Sequence, residues 1–285
     1  MTCLNTLVED INKSLEGLSD GKPLNITEED LDLTLSRMKT SILEWANPSD
    51  RNKTFSLRMS NIGRPARQLW FEKNKPLENS QPNAATQVKF LYGHILEEIV
   101  LMLVRAAGHK VTDEQKEVDL DGIKGHMDCK IDGEVVDVKT ASKFAFNKFR
   151  NERLDGDDPF GYLPQLAAYE KAEDTCKGGF LVINKEGGDI CLYKPEDLSK
   201  TNISTLIESL KKAVDSKDLP ALCYEPVPEG KKGNMNIHKT CTYCPYKYEC
   251  FKDSNNGQGL RTFKYATKLE YLTKVVVAPR VDEIL

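Results

Sequence analysis

The sequence has no long apolar run, no phosphate-binding loop and no excess of basic residues. No stretch approaches the roughly 18 consecutive apolar residues of a membrane-spanning helix, so no membrane partner is expected. No glycine-rich loop ending in Lys-Ser or Lys-Thr is present, which leaves no visible ATP motor. The 44 acidic residues outnumber the 40 Lys and Arg residues, so any contact with nucleic acid must come from local basic patches.

Composition and the opening residues are those of an intracellular globular protein. Hydrophobic residues make up 39% and charged residues 29% of the 285 positions, as is ordinary for a folded domain. The opening segment MTCLNTLVEDINKSLEG carries acids where a secretory signal would be basic and apolar. We therefore expect a cytoplasmic protein of a bacterium or a phage-infected cell.

The spacing of apolar residues predicts helices on both sides of a run of strands, which is typical of a mixed α/β domain. Residues 1–26 look weakly structured, and the tail from Leu219 is rich in proline, glycine and cysteine. Thr27 and Asp30 have the spacing of a capping box. Helices are expected at about 27–45, 60–72, 86–107, 160–175 and 197–216. Strands are expected at Lys116–Leu120, Ile123–Ile131, Val135–Thr140, Gly179–Asn184 and Ile190–Tyr193.

The most informative segment is GHMDCKIDGEVVDVKT, residues 125–140, whose Asp132-Gly133 pair predicts a β-hairpin turn. With those two residues in the turn, Asp128 faces Asp137 across the hairpin. Directly opposed side chains share one face, with Cβ atoms about 5 Å apart. Lys139 stands two residues beyond Asp137 and therefore lies on that face as well.

The hairpin would thus place two carboxylates and one ammonium group side by side. Facing carboxylates repel each other unless a positive charge lies between them. A hard cation such as Mg²⁺ or Mn²⁺ meets that need through oxygen ligands, lowers the pKa of a bound water and neutralises a phosphate. Lys139 could orient that water or stabilise developing negative charge. The alternative is a solvated surface ion pair, but Val135, Val136 and Val138 predict a strand buried on both faces.

Further motifs lie on either side of the hairpin. Glu97 stands four residues after Gly93, and Tyr169 stands four residues after Gln165. The tail contains three closely spaced cysteines, Cys241, Cys244 and Cys250. Together with Asp128 and Asp137-Val138-Lys139, these motifs resemble the PD-(D/E)XK nuclease superfamily over roughly residues 60–252. Within it they are most similar to the RecB-like branch that includes CRISPR-associated exonucleases.

The resemblance implies a restriction-endonuclease-like core, with a central mixed sheet flanked by helices. Asp128, Asp137 and the carbonyl of Val138 would bind Mg²⁺ or Mn²⁺, and Lys139 would be the catalytic lysine. Glu97 stands where many relatives have histidine and could bind the same metal, with His94 one turn away as the competing ligand. Gln165 and Tyr169 would line the active site and contact DNA, or form an ordinary packing pair. Glu98 is expected on a solvated helix face.

We expect three regions: a helical region at 1–59, a nuclease core at 60–218, and a Cys-rich metal-binding segment and tail at 219–285 that packs on the core. Relatives with an iron–sulfur site take a fourth cysteine from an early segment, which here has Pro65 and no cysteine. Cys223, or else Cys3, could complete a [4Fe–4S] site. His238 could instead complete a Cys₃His zinc site. The third possibility is that the metal is lost and the thiols are reduced and buried.

Basic residues that could contact DNA phosphates are Arg64, Arg67, Lys143 and Lys148. The resemblance implies a metal-dependent deoxyribonuclease, and by extension an exonuclease acting on single-stranded or free DNA ends in recombination, repair or replication. Unwinding would fall to a separate helicase or recombination protein. The alternatives are a structure-specific endonuclease and a non-catalytic DNA-binding scaffold of the same fold. A zinc-stabilised interaction module built on the tail would leave the hairpin carboxylates unexplained.

Overall fold

The computed structural model describes residues 3–47, 55–77, 82–198 and 201–284. Its contacts divide the chain into two units. Unit 1 comprises Met1–Gly63 and Gln81–Ser209, and unit 2 comprises Arg64–Ser80 and Leu210–Leu285. Each unit is therefore built from two stretches that are far apart in sequence.

The helices and strands follow one another along both units. The helices are α1 Leu7–Gly17, α2 Glu28–Ala46, α3 Ala66–Asn74, α4 Ala84–Ala106, α5 Lys143–Arg150, α6 Tyr162–Glu173, α7 Ile203–Asp215, α8 Lys247–Cys250 and α9 Ser254–Gly257. The strands are β1 Val111–Thr112, β2 Lys116–Leu120, β3 Ile123–Met127, β4 Cys129–Ile131, β5 Glu134–Ala141, β6 Gly179–Asn184, β7 Ile190–Tyr193, β8 Val227–Glu229, β9 Asn234–Asn236, β10 Arg261–Lys264, β11 Leu269–Lys274 and β12 Glu283–Ile284.

A five-stranded sheet in the order β1-β4-β5-β6-β7 forms the centre of unit 1. Strands β5 and β6 pair in parallel and the other neighbours pair antiparallel, so the sheet is mixed. Leu181 of β6 lies in a core shared with α1 and α4, whereas the adjacent Phe180 contacts Phe149 of α5 and Tyr162 of α6. Because adjacent side chains point to opposite faces of a sheet, helices cover both faces. The predicted fold class is confirmed: an α/β domain with a central mixed sheet flanked by helices.

The predicted hairpin forms with its turn at Asp132 and Gly133. Their φ angles of 51° and 92° are both positive, as the tight turn between twisted strands requires. Cys129 pairs with Val136 and Ile131 pairs with Glu134, which is the register that this turn dictates. The hairpin and its register over Cys129–Ile131 are therefore confirmed, whereas the predicted pairing of Asp128 with Asp137 lies outside the observed ladder.

The single strand predicted at Ile123–Ile131 is wrong, because the chain leaves its extended path at Asp128. Strand β3 ends at Met127 and pairs with β2 in a separate two-stranded sheet, with one further bridge from Lys124 to Arg58. Strand β4 begins at Cys129 and pairs with β1 and β5. Asp128 therefore lies between the two strands, and its carboxylate contacts the backbone of β5.

The expectation that residues 1–26 are weakly structured is also wrong. Helix α1 occupies Leu7–Gly17, and Leu4, Leu7 and Ile11 are buried against Val100 and other core residues of unit 1. The spacing of Leu7 and Ile11 places both on one helix face. The polar residues between and after them obscure the apolar periodicity, which is why the sequence does not indicate this helix.

The other expected helices form with shifted ends. Thr27 caps α2, where its Oγ1 accepts a hydrogen bond from the Asp30 N–H at 3.1 Å, as the capping-box spacing predicts. Helix α3 begins after Pro65 rather than at residue 60, and α7 begins at Ile203 rather than at 197. None of the helices in the described ranges is long and apolar enough to cross a membrane.

Unit 2 contains a second sheet that the sequence does not indicate. It is antiparallel, in the order β12-β10-β11-β9-β8. Two apolar clusters accompany it: Trp70, Phe71 and Tyr246 form one, and Ile237, Phe251 and Tyr271 form the other. Residues of the predicted Cys-rich segment and tail thus form a sheet and contribute to both apolar clusters of unit 2.

Candidate functional site

Strand β5 carries the first two groups of the candidate site in unit 1. Val135, Val136, Asp137 and Val138 are all buried, as expected for a strand with helices over both faces. Asp137 is only 2% exposed, and its Oδ2 lies 2.5 Å from Nζ of Lys139. The fold therefore brings Asp137 and Lys139 together, as predicted from their spacing.

Asp128 joins them from the break between β3 and β4. Its Oδ2 accepts a hydrogen bond from the Val138 N–H at 2.7 Å, so the side chain reaches across to β5. Burial and the negative charge of Asp137 raise the pKa of Asp128 to about 7. Asp137 is thus close enough to Asp128 to disfavour the charged form of Asp128.

Glu97 of α4 belongs to the same electrostatic group. Burial and the carboxylates of Asp128, Glu98 and Asp137 raise its pKa to about 9. Its Oε1 accepts a hydrogen bond from the Gln115 side chain at 2.8 Å. Glu97 and Asp128, both half-buried, thus interact electrostatically with the buried Asp137.

Gln115 is a site residue that the sequence analysis missed. Its backbone N–H donates to the Asp128 carbonyl at 2.9 Å while its side chain holds Glu97. Its φ of 55° is unusual for a residue other than glycine. Such strained backbone is retained where surrounding contacts fix it, often at functional sites. No local pattern marks a lone glutamine in a loop, so the sequence gives no signal for it.

Helix α4 carries two more residues that the sequence analysis singled out, His94 and Glu98. His94, the competing ligand, is exposed on the helix. The expectation that Glu98 lies on a solvated face is wrong, because only 5% of it is exposed. Burial raises the pKa of Glu98, while the positive charges of Arg37 and Arg105 act in the opposite direction. Glu98 therefore belongs to a buried charge cluster beside Glu97.

Lys139 stands over the ring of Tyr162, with Nζ 4.9 Å from the ring centroid. Burial favours the neutral amine, but the charges of Asp137 and Asp128 prevail and raise the pKa of Lys139 above its usual value. Tyr162 opens α6, where Asp158 accepts hydrogen bonds from the N–H groups of Gly161, Tyr162 and Leu163. Sequence reasoning missed Tyr162 because this contact joins residues 23 positions apart.

The side chains of Gln165 and Tyr169 form a hydrogen bond with each other on α6. Gln165 Nε2 donates to the Tyr169 hydroxyl at 3.2 Å, and that hydroxyl donates to the His126 carbonyl at 2.8 Å. Tyr169 is 2% exposed, and burial raises its pKa to about 12. The pair ties α6 to the end of β3, just before Asp128.

The basic residues proposed for DNA contact differ in their surroundings. Lys148 pairs with Asp157 at 2.6 Å and lies over the ring of Phe144. Lys143 is exposed at the start of α5. In unit 2, Arg64 pairs with Glu72 at 3.3 Å. Arg67 donates through Nε to Cys250 Sγ at 3.1 Å, so its guanidinium contacts protein sulfur.

The acids of unit 1 suit a hard cation by their chemistry. All the donor atoms are carboxylate oxygens, the ligands that Mg²⁺ and Mn²⁺ prefer. Oδ2 of Asp137 is buried and makes no hydrogen bond of good geometry, although Lys139 Nζ is near. Across the described ranges, no three His, Cys, Asp or Glu side chains lie close enough together to hold one metal ion. Binding would therefore require the carboxylate side chains to rotate inward.

The predicted cysteine cluster lies in unit 2. Cys223, Cys241, Cys244 and Cys250 line one cavity of about 40 Å³, the cysteine cavity, together with Arg67 and Phe71. His238 stacks on the Tyr224 ring, with centroids 4.6 Å apart, and its Nδ1 accepts from the Thr240 N–H. Cys3 lies in unit 1 and is exposed.

Comparison with known proteins gives only distant similarity. No family model matches the chain, and no curated protein matches it at a significant level. Among solved structures, SSO0001 is 17% identical, with 75% of this chain and 94% of that one covered and a TM-score of 0.40. The alkaline exonuclease LHK-Exo from Laribacter hongkongensis is 15% identical (54% and 89% covered, TM-score 0.36). A phage related exonuclease from Haemophilus somnus 129PT is 13% identical (56% and 91% covered, TM-score 0.36). At these values the similarities assign no activity to this chain.

Proposed function

We propose that the chain is a metal-dependent nuclease that hydrolyses phosphodiester bonds of DNA. The observation that carries the proposal is the grouping of Asp137 and Lys139 of β5 with Asp128, between β3 and β4, and with Glu97 of α4. Burial and neighbouring carboxylates raise the pKa values of Asp128 and Glu97, so the charged forms of these acids are costly unless a cation offsets them. The same residues are the ones that resemble the PD-(D/E)XK motif of the RecB-like branch.

The roles follow from the contacts of each residue. Asp128, Asp137 and Glu97 would hold Mg²⁺ or Mn²⁺, and that ion would activate water and neutralise phosphate charge. Lys139 carries a positive charge kept by Asp137 and Asp128, so it can stabilise negative charge on a phosphate rather than accept a proton. Tyr162 limits where the Lys139 ammonium can point. Lys143, exposed on the helix after β5, is the best placed of the four basic residues to contact the DNA backbone.

We infer further that the substrate is DNA with a free end, single-stranded by preference, processed in recombination, repair or replication. This part rests on the resemblance to exonucleases of the branch. A separate helicase would supply unwinding, since the sequence shows no phosphate-binding loop.

The test compares wild type with Asp137→Asn on end-labelled single-stranded, duplex and circular DNA, with Mg²⁺, Mn²⁺ or EDTA. We expect metal-dependent degradation by wild type and a loss of at least about a hundredfold in the variant. Glu9→Gln, an exposed carboxylate of α1, is the matched control and should behave as wild type. Cleavage of the circular substrate would favour the endonuclease alternative. Equal inactivity of all three proteins, folded and bound to DNA, would replace the proposal with a scaffold role.

A further inference from the structure

Helix α2 of unit 1 carries a row of apolar side chains along most of its length. They recur at steps of four, three, four and three residues, and together they form the α2 stripe: Leu31, Leu35, Met38, Ile42 and Trp45. Such steps average about 3.5 residues, which keeps the side chains in one line along the helix. The spacing is typical of a helix that packs lengthwise against another helix.

Helix α4 packs on α2 but leaves much of the stripe exposed. Thr34 is the one fully buried residue of α2. At about 3.6 residues per turn, Leu35 and Ile42 point roughly a quarter turn away from Thr34. Leu35 is accordingly 54% exposed and Ile42 is 43% exposed. Exposed apolar patches that extend over several large side chains usually mark an interaction site.

The helix that presents the stripe is held in place by other elements of unit 1. Arg37 of α2 forms an ion pair with Glu114 at 3.4 Å. Trp45 Nε1 donates a hydrogen bond to the Gln87 carbonyl of α4 at 3.0 Å. A partner would therefore meet a helix that is already formed and oriented, so association does not include the cost of ordering it.

Apolar surface is exposed on α4 as well, close to the contact with Trp45. Val88 follows Gln87 in the sequence and is exposed, as is Tyr92 one turn further along the helix. Ile95 and Ile99, both half-buried, continue the same steps of three and four residues. Both helices therefore carry an apolar heptad row, as the helices of a four-helix bundle do.

Two exposed charged residues border the stripe on the side away from Thr34. Asp32 and Lys39 are seven residues apart, and neither forms an ion pair within the part of the chain that the structure describes. If two α2 helices pack antiparallel, with Leu35 against Met38 of a second copy, Asp32 lies opposite Lys39 of that copy. A parallel pair forms no such ion pair and brings the acidic first turns together, each with Glu28, Glu29 and Asp30. The charges therefore fit a second copy of this chain in antiparallel orientation.

We propose that two copies of the chain form a symmetric dimer in which their α2 stripes pack antiparallel. The same surface serves both copies, so the interface is self-complementary and the assembly closes at two chains. This inference goes beyond the proposed nuclease activity and its test uses no cleavage assay. Failure of either proposal would therefore leave the other standing.

Sedimentation velocity of the full chain, over roughly 0.1–100 µM, measures the dissociation constant of the dimer. We expect Leu35→Gln to raise that constant at least about thirtyfold, because each copy loses a leucine from the interface. Leu33→Gln removes an exposed leucine of α2 outside the stripe and should leave the constant unchanged. Both leucines are exposed, so circular dichroism should show that both variants are folded. A monomeric wild type, or equal weakening by the two variants, would overturn the proposal.

Exchanging the flanking charges tests the antiparallel orientation and leaves the stripe intact. Lys39→Asp alone should raise the dissociation constant at least about fivefold, because an aspartate then faces Asp32 of the second copy. Adding Asp32→Lys should restore it to within about twofold of wild type, since opposite charges face each other again. An apolar surface that associates in any orientation would not respond in this way. A double variant as weak as Lys39→Asp, or no effect of Lys39→Asp, would show that the antiparallel arrangement is wrong.

Discussion

The two candidate sites, the acids of unit 1 and the cysteines of unit 2, are built in opposite ways. In unit 1 the charged groups stand on long regular elements, with Asp137 and Lys139 on β5 and Glu97 on the 23-residue helix α4. In unit 2 the thiols stand on loops, on a 3₁₀ helix at Lys239–Tyr243 and on α8, a helix of four residues. The long elements of unit 1 place its acids near one another, and binding one ion would bring the carboxylates closer together. Unit 2 has no such long elements around its thiols, so a metal held there should contribute much of the local stability.

The largest expected effect is on unit 2, if its cysteines hold the metal that the resemblance implies. Chelating that metal should then raise amide hydrogen exchange in β9 and β11 by at least about a hundredfold, because the free energy of metal binding there would be folding free energy. Strands β5 and β6 of unit 1 should change little. Equal protection of the two units after chelation would contradict the expectation that unit 2 alone depends on a metal for its stability.

The next effect concerns the charge balance of unit 1. Lys139→Met leaves Asp137 buried without its ion-pair partner, and breaking a buried pair in this way costs about 3–5 kcal/mol. Urea unfolding in EDTA measures the loss. The double variant with Asp137→Asn should recover most of it, since neither member of the pair then carries a charge. A loss below about 1 kcal/mol would show that solvent reaches the carboxylate.

Gln115→Leu tests how Glu97 is oriented. Losing the hydrogen bond that holds a ligand typically weakens metal binding about 10- to 100-fold, and we expect that for Mn²⁺. Isothermal titration calorimetry gives the affinity directly. Gln258→Leu, at an exposed glutamine of unit 2, is the control and should leave it unchanged. The idea fails if both variants bind Mn²⁺ as wild type does.

The pH dependence of the same site has a definite sign. The pKa values of Asp128 and Glu97, about 7 and about 9, are raised, so the metal-free folded protein binds more protons than the unfolded chain. The stability of the metal-free protein should therefore fall as pH rises through this range. Mn²⁺ affinity should rise over the same range, by up to about tenfold per pH unit for each proton released. Calorimetry in buffers of different ionisation enthalpy counts those protons.

The smallest effect is expected for Tyr169→Phe. It removes the hydrogen bond to the His126 carbonyl, worth about 1 kcal/mol, and leaves the ring in place. If Tyr169 acts only by packing, DNA turnover should stay within about twofold of wild type. A marked rise in KM for DNA without loss of stability would support the DNA contact that the resemblance implies.

The sequence predicts those parts of the fold that depend on neighbours in the chain. The Asp132-Gly133 turn and the valines of β5 determine the hairpin and its register, and the spacing of Asp137 and Lys139 places them together. Thr27 predicts the start of α2 for the same reason. In each case the interaction joins residues a few positions apart.

What the sequence does not predict depends on distant partners. Helix α1 is mostly polar, and its narrow apolar face becomes recognisable only when its packing with residues of α4 is known. The strands of unit 2 are short and show no clear alternation, so their pairing is not visible locally. Gln115, Tyr162 and buried Glu98 gain their environment from contacts between elements. A solvated helix face is the natural expectation for Glu98 until Arg37 is known to lie near it.

The placement of α3 in unit 2 has a consequence for the order in which the chain folds. Its buried residues Leu69, Trp70 and Phe71 leave the ribosome long before Tyr246, on which Phe71 stacks. At 5–20 residues per second, the roughly 170 intervening residues take about 10–30 s to synthesise. During that time the aromatic residues of α3 lack the Tyr246 ring on which Phe71 stacks, while the strands of unit 1 can already pair. The nascent chain should therefore be most prone to aggregation, and most in need of a chaperone, at this interrupted stage.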